Sequence, residues 1–196
     1  MKDREERWSG ETGECIREAT REHACKVGEI TLAWSAFHII LGAWYSWLTS
    51  PTNDITEAMR RWDLKLSDKG QRKMLAEALA EKRNYIADVF DSLNWVCERA
   101  DKLATIRNAF VHAGTVICGL PDSPKVGFME QLHLKDSEDR FRHVKQNPDE
   151  AYEALMSDLA TLQEFVHRTL NATILPKNFG PPPARPELIT TKLFPD

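Results

Sequence analysis

Cysteine is scarce in this chain and scattered. The four cysteines, Cys15, Cys25, Cys97 and Cys118, form no C-x-x-C pair and no short metal-ligand spacing. That excludes a zinc ribbon and a disulfide scaffold, and it suits reduced core thiols in a cytosolic protein. Positive charge is not in excess either. The net charge of −4 argues against a protein that coats nucleic acid through a generally basic surface, although it leaves room for a local basic groove. There is no glycine-rich phosphate loop, no serine-nucleophile motif, no zinc motif and no internal repeat. The charged start, Met1-Lys2-Asp3-Arg4-Glu5-Glu6-Arg7, lacks the apolar segment of a signal peptide. One apolar run approaches membrane length, Ile30 to Leu48. Thr31, Ser35, His38, Gly42 and Ser46 interrupt it and Glu29 precedes it, so a central buried helix is expected and no membrane.

What is present is ordinary for a globular domain: 42% apolar and 29% charged residues over 196 positions, enough for a sizeable core. Six tryptophans and eight phenylalanines point to an aromatic core or an interface. Ser9 or Thr12 can cap a first helix that Gly28 bends or breaks. Asn53 or Asp54 caps a short helix through Met59 and Trp62, and Ser67 opens another containing Met74, Leu75, Ala78 and Leu79. A long helix runs from about Asn84 to Ala113, where Gly114 suits a left-handed stop. Residues 115–118 and 126–134 flank a Gly/Pro-containing loop, a β-hairpin pattern. Residues 135–146 read as a polar surface segment. Pro148 opens a last helix with a stripe at Ala151, Leu155, Leu159, Leu162, Phe165, Val166 and Leu170. The expected organisation is an N-terminal arm (1–10), one helical domain (11–172) and a proline-rich tail (173–196), draped or disordered.

The chemistry concentrates near the end of the long helix. At roughly 100° per residue, Val96, Leu103, Ile106 and Phe110 share one apolar face. Asp101, Thr105, Asn108 and His112 share the opposite side. Arg107 projects from the flank of the apolar face, where its guanidinium must find an anion, carbonyls or water. A bland reading also exists: cations suit the last turns of a helix, and a terminal histidine can simply bond a carbonyl.

Arg107-Asn108-Ala109-Phe110-Val111-His112, followed by Ala113-Gly114, resembles the signature of the HEPN superfamily (higher eukaryotes and prokaryotes nucleotide-binding). That signature is an Arg, a polar residue, three residues and a His on a helix of an all-α bundle. Asp101 matches the acidic residue that some catalytic members carry about six positions before the Arg. The resemblance covers about fifteen residues. It implies an all-α, HEPN-like up-and-down bundle, here with a small β-hairpin or loop inserted after the motif helix.

It also implies a metal-independent endoribonuclease of toxin or phage-defence type, needing no cofactor and no metal. In that chemistry the RNA 2′-hydroxyl attacks its own phosphate, leaving a 2′,3′-cyclic phosphate and a 5′-hydroxyl. His112 would serve as base or acid, since histidine changes charge near neutral pH. Arg107 would stabilise the phosphorane. Asn108 would orient the imidazole or the phosphate, and Asp101, about three turns from His112, would orient an Arg, a partner subunit or a substrate hydroxyl. Arg107 and His112 lie roughly 140° apart around an ideal helix. The resemblance answers this with a homodimer whose two motifs share one cleft. It further implies an RNA substrate and an antitoxin of nucleotidyltransferase type. The alternative is a non-catalytic helical module that binds a nucleotide or a protein partner.

The other histidines lack ligand company. His38 fits a hydrogen-bonded core residue, His23 stands near Cys25 without a second ligand pair, and His133, His143 and His167 belong to no Cys/His cluster. Lys135, Arg140, Arg142, His143 and Lys145 form a small basic cluster diluted by Asp136, Glu138 and Asp139.

Overall fold

Long amphipathic segments with few internal breakers dictate an all-α architecture. The computed structural model describes residues 11–50, 55–112, 115–120, 123–128, 144 and 147–193. Five principal helices follow in order among them: α1 (Glu11–Thr49), α2 (Ile55–Asp63), α3 (Asp68–Glu81), α4 (Ala87–His112) and α5 (Pro148–Ile174). Two single-turn helices, α6 (Pro176–Phe179) and α7 (Thr190–Leu193), end the described chain. Between α4 and α5, β1 (Thr115–Leu120) pairs antiparallel with β2 (Ser123–Phe128), from Thr115 opposite Phe128 to Leu120 opposite Ser123. The pairing runs nearer the tip than the sequence pattern suggests. Pro124 is accommodated because each strand of a two-stranded ribbon keeps one unpaired edge. Residues 129–134, the expected cap at Asn53 or Asp54, the stop at Gly114 and most of the segment 135–146 lie outside the described residues.

Gly28 does not break the first helix. α1 is continuous over 39 residues. A mid-helix glycine costs only about 1 kcal/mol relative to alanine, and nothing lies within 4 Å of where a Cβ at Gly28 would stand. Nor is the Ile30–Leu48 stretch buried all round. Trp34, Phe37, Leu41, Trp44, Tyr45 and Leu48 are buried, whereas Leu32 is 73% and Ile39 64% exposed. Hydropathy shows that every side of this segment is apolar, and only the neighbouring helices determine which sides are covered. By length and composition, Ile16–Thr49 is long and apolar enough to cross a bilayer, a test that the core helix of a soluble protein also passes.

The contacts divide the chain into two units, Met1–Leu32 with Thr105–Glu153, and Ala33–Ala104 with Ala154–Asp196. In the first unit, Ala19, Ile30, Ile106, Ala109, Phe110, Val144 and Ala151 are buried. In the second, α3 starts where its sequence signals it: Ser67 Oγ accepts the Gly70 amide at 3.1 Å. α1 and α2 approach closely through Gly42. A Cβ there would stand 2.9 Å from Trp62 Nε1, so only glycine fits without displacing the indole. Trp44 is fully buried and satisfies its indole N–H on the Val166 carbonyl at 3.2 Å. Gln163 Nε2 donates to the Ala33 carbonyl at 2.8 Å.

The proline-rich tail, described as far as Leu193, is held by one buried carboxylate. Asp158, 1% exposed on α5, accepts the Ile189 and Thr190 amides, each at 2.8 Å, and the Thr190 hydroxyl at 2.5 Å. Gly180 turns the chain at φ +69°, a region open to glycine and strained for other residues. Leu188 and Thr190 are buried behind this latch.

Candidate active site

α4 sorts its last turns by chemistry. Ile106, Ala109 and Phe110 are buried, Asn108 and His112 are exposed, and Arg107 is half-buried. Asn108 and His112 stand at i and i+4, so their side chains are neighbours on one face. Arg107 Nη1 donates to Asn108 Oδ1 at 2.8 Å. That bond ties the guanidinium of the flanking residue to the polar stripe. The structure thus brings Arg107 and Asn108 into contact within the first unit, with His112 one turn beyond Asn108.

Other groups of the first unit were not singled out by the sequence. Phe110 meets the Tyr152 ring edge-on, centroids 6.3 Å apart. The Tyr152 hydroxyl donates to Glu29. This bond holds the proton on the phenol and, helped by burial and the Glu29 charge, pushes its pKa up to about 12. Lys26 lies over the Tyr152 ring at 5.5 Å and pairs with Asp149 at 2.6 Å and Glu22 at 2.8 Å. On α1 the spacing of Glu22, Lys26 and Glu29 gives them one face, which was the available sequence signal; their partners on α5 had none.

Asp101 belongs to the second unit, in a different arrangement. The Arg72 side chain, 5% exposed, donates to Asp101 Oδ1 through Nη2 at 2.6 Å and Nε at 2.9 Å. Arg72 Nη1 lies 3.2 Å from His38 Nε2, and His38 Nδ1 lies 2.9 Å from Gln71 Oε1. A guanidinium can only donate, so Nε2 accepts and Nδ1 carries the proton given to Gln71. Gln71 Nε2 continues the chain to the Trp62 carbonyl at 3.2 Å. The Arg72 guanidinium also sits 5.6 Å from the Trp34 ring centroid, and Trp34 Nε1 donates to Asp68 at 2.8 Å. His38 is therefore a hydrogen-bonded core histidine. Beside this network, burial pushes the Cys97 thiol up to about 12.

Among the described residues no cluster of three or more His, Cys, Asp or Glu side chains could hold a metal. Burial, and then the Lys26 charge, lower the pKa of His23. His167 Nε2 lies 3.4 Å from Asn171 Nδ2. His133, His143 and the basic cluster around Arg140 lie outside the described residues. A cleft of about 710 Å³ in the second unit, lined by Tyr45, Trp47, Arg61, Glu77, Lys82 and Tyr85 among others, balances two cations with carboxylates. Compared with protein-family models, with curated proteins and with solved structures, the chain matches none.

Proposed function

We propose that this chain is a metal-independent endoribonuclease of HEPN type, cytoplasmic, acting in a toxin–antitoxin or antiviral-defence setting. The observation that carries the reading is the Arg107–Asn108 bond, with His112 one turn further along the same exposed face. A guanidinium directed toward a polar stripe that ends in an exposed imidazole has the groups that cleavage beside a 2′-hydroxyl requires. Two copies of this helix end in a homodimer would supply two of each group around one phosphate. The 2′-oxygen then bonds to phosphorus and the bond from phosphorus to the 5′-oxygen breaks. One His112 takes the 2′-hydroxyl proton and the other gives a proton to the departing 5′-oxygen. Arg107 offsets the charge on the phosphorane. Asp101, expected in support, is bound to the Arg72 guanidinium in the second unit, and no catalytic step is assigned to it. An antitoxin of nucleotidyltransferase type is the proposed regulator.

The acidic balance of the chain, −4 overall, favours one competing reading: a non-catalytic helical module that binds a nucleotide or a protein. The purified protein incubated with RNA in EDTA separates the two. Products ending in a 2′,3′-cyclic phosphate and a 5′-hydroxyl support the ribonuclease. Intact RNA supports the binding module.

A further inference from the structure

One histidine of the second unit is held in a single protonation state by groups that have no choice of role. The Arg72 guanidinium can only donate, so at 3.2 Å it requires a lone pair on His38 Nε2. On the other side the Trp62 carbonyl can only accept. It takes the Gln71 amide N–H at 3.2 Å, which turns Gln71 Oε1 toward His38 Nδ1 at 2.9 Å and places the ring proton there. His38 is 6% exposed, and the rings of Trp34, Phe37 and Trp62 pack around it with centroids 5.1, 6.0 and 6.4 Å away. Those rings hinder a turn of the imidazole that would exchange its two nitrogens. Four helices meet in this network: α1 through His38, α2 through Trp62, α3 through Gln71 and Arg72, and α4 through Asp101.

A second proton on Nε2 would set an N–H against the Arg72 N–H and one buried cation beside another. Among the described residues, α3 brings Arg72 to the ring, and also Asp68, which accepts the Trp34 indole N–H at 2.8 Å. α4 brings Asp101, whose Oδ1 holds Arg72, and the Cys97 thiol, which burial keeps protonated. From α1 and α2 the neighbours are the aromatic rings. The two carboxylates favour a charged imidazole. Arg72, in direct contact with Nε2, opposes them, and so does burial. The relief lies with Asp101, which is 56% exposed: a displaced guanidinium can keep its two bonds to that carboxylate and reach water.

We infer that His38 is an acid-sensitive lock of the second unit: a proton taken from water onto Nε2 displaces the Arg72 guanidinium from the imidazole and opens the contact of α1 with α3. The sign follows from proton counting. Once free histidine is charged, the closed lock holds one proton fewer than the unfolded chain. The stability it contributes is therefore present above the unfolded value of about 6.5 and is lost as pH falls below it. This inference is independent of the ribonuclease reading.

Urea denaturation of the full chain at pH 7.5, 6.5 and 5, beside His38→Gln, tests it. Glutamine offers Arg72 an acceptor oxygen and does not titrate. The other histidines and the carboxylates are common to both proteins and cancel in the comparison. Relative to the variant, the unfolding equilibrium constant of the parent should rise by up to tenfold per pH unit below about 6.5. A second measurement needs no variant and decides the matter if His38→Gln does not fold. Nitrogen-15 NMR of the parent should show the His38 proton on Nδ1 alone at pH 7.5. On acidification, amide protection in α1 around His38, corrected for intrinsic exchange, should fall as the second proton appears. The inference is overturned if folded His38→Gln loses stability in step with the parent, or if that protection is unchanged between pH 7.5 and pH 5.

Discussion

The Arg72 guanidinium gives two hydrogen bonds to a single oxygen of Asp101, 2.6 Å from Nη2 and 2.9 Å from Nε. The two ends differ in exposure: the Arg72 side chain is 5% exposed and that of Asp101 56%. Removing the carboxylate leaves the buried Arg72 cation without the Asp101 counter-charge, at a site whose other end is open to water. Asp101→Ala should therefore destabilise the protein by about 2–3 kcal/mol, below the 3–5 kcal/mol of a fully enclosed pair. Asp101→Asn keeps an acceptor and should cost less. Urea denaturation measures both. Equal stability of Asp101→Ala and the parent would show that the pair contributes nothing to folding.

The Asp158 latch makes a local prediction. Asp158→Ala removes the acceptor of three hydrogen bonds and opens the segment around Leu188 and Thr190. Amide exchange at Ile189 and Thr190 should accelerate by about two orders of magnitude, the equivalent of some 3 kcal/mol of local opening. Exchange in α3 should change little. Unaltered protection at Thr190 would mean that the strap is held by its apolar contacts alone.

Tyr152 sets a high-pH limit. Its folded pKa, about 12, lies above the ordinary value of 10.0. A raised acid contributes its stability below the unfolded pKa and loses it as pH rises through the folded one. Folding stability should thus decline between pH 10 and 12, and Glu29→Gln, which removes the acceptor charge, should flatten that decline. Denaturant titrations at pH 9 and pH 11 provide the comparison. An identical decline in the variant would remove Glu29 as the cause.

The two cysteines with described environments should separate in reactivity. Cys25 is exposed and Cys97 buried. Burial first, then the charges of Asp101 and Glu98 acting against the opposing effect of Arg72, keep the Cys97 thiol protonated. Iodoacetamide at pH 8 should label Cys25 in the native protein and Cys97 only in denaturant, as read by peptide mass mapping. Rapid native labelling of Cys97 would contradict its burial.

Local signals were the legible part of this fold. Ser67 capping α3 and the apolar stripe of α5 act within a few residues, so the sequence states them directly. The sorting of α4 into a buried Ile106–Phe110 side and an exposed Asn108–His112 side follows from helical period alone. The rest depends on partners far along the chain. Asp101 meets Arg72 across 29 residues and Asp158 meets Thr190 across 32, and neither spacing carries a periodic signal. Leu32 and Ile39 look like core by hydropathy and lie outside, because among the described residues no neighbour covers them. At the candidate site the Arg107–Asn108 contact has no periodic signal, since adjacent helical residues do not ordinarily face each other.

We propose that Arg107 and His112 carry out metal-free RNA cleavage. The most direct measurement is the initial rate of RNA cleavage in EDTA for the parent, Arg107→Ala and His112→Ala, each first shown to be folded. The expected result is cyclic-phosphate ends from the parent and a loss of about 100-fold or more in each variant. Cleavage at the parental rate in either folded variant, or none by the parent, would contradict it.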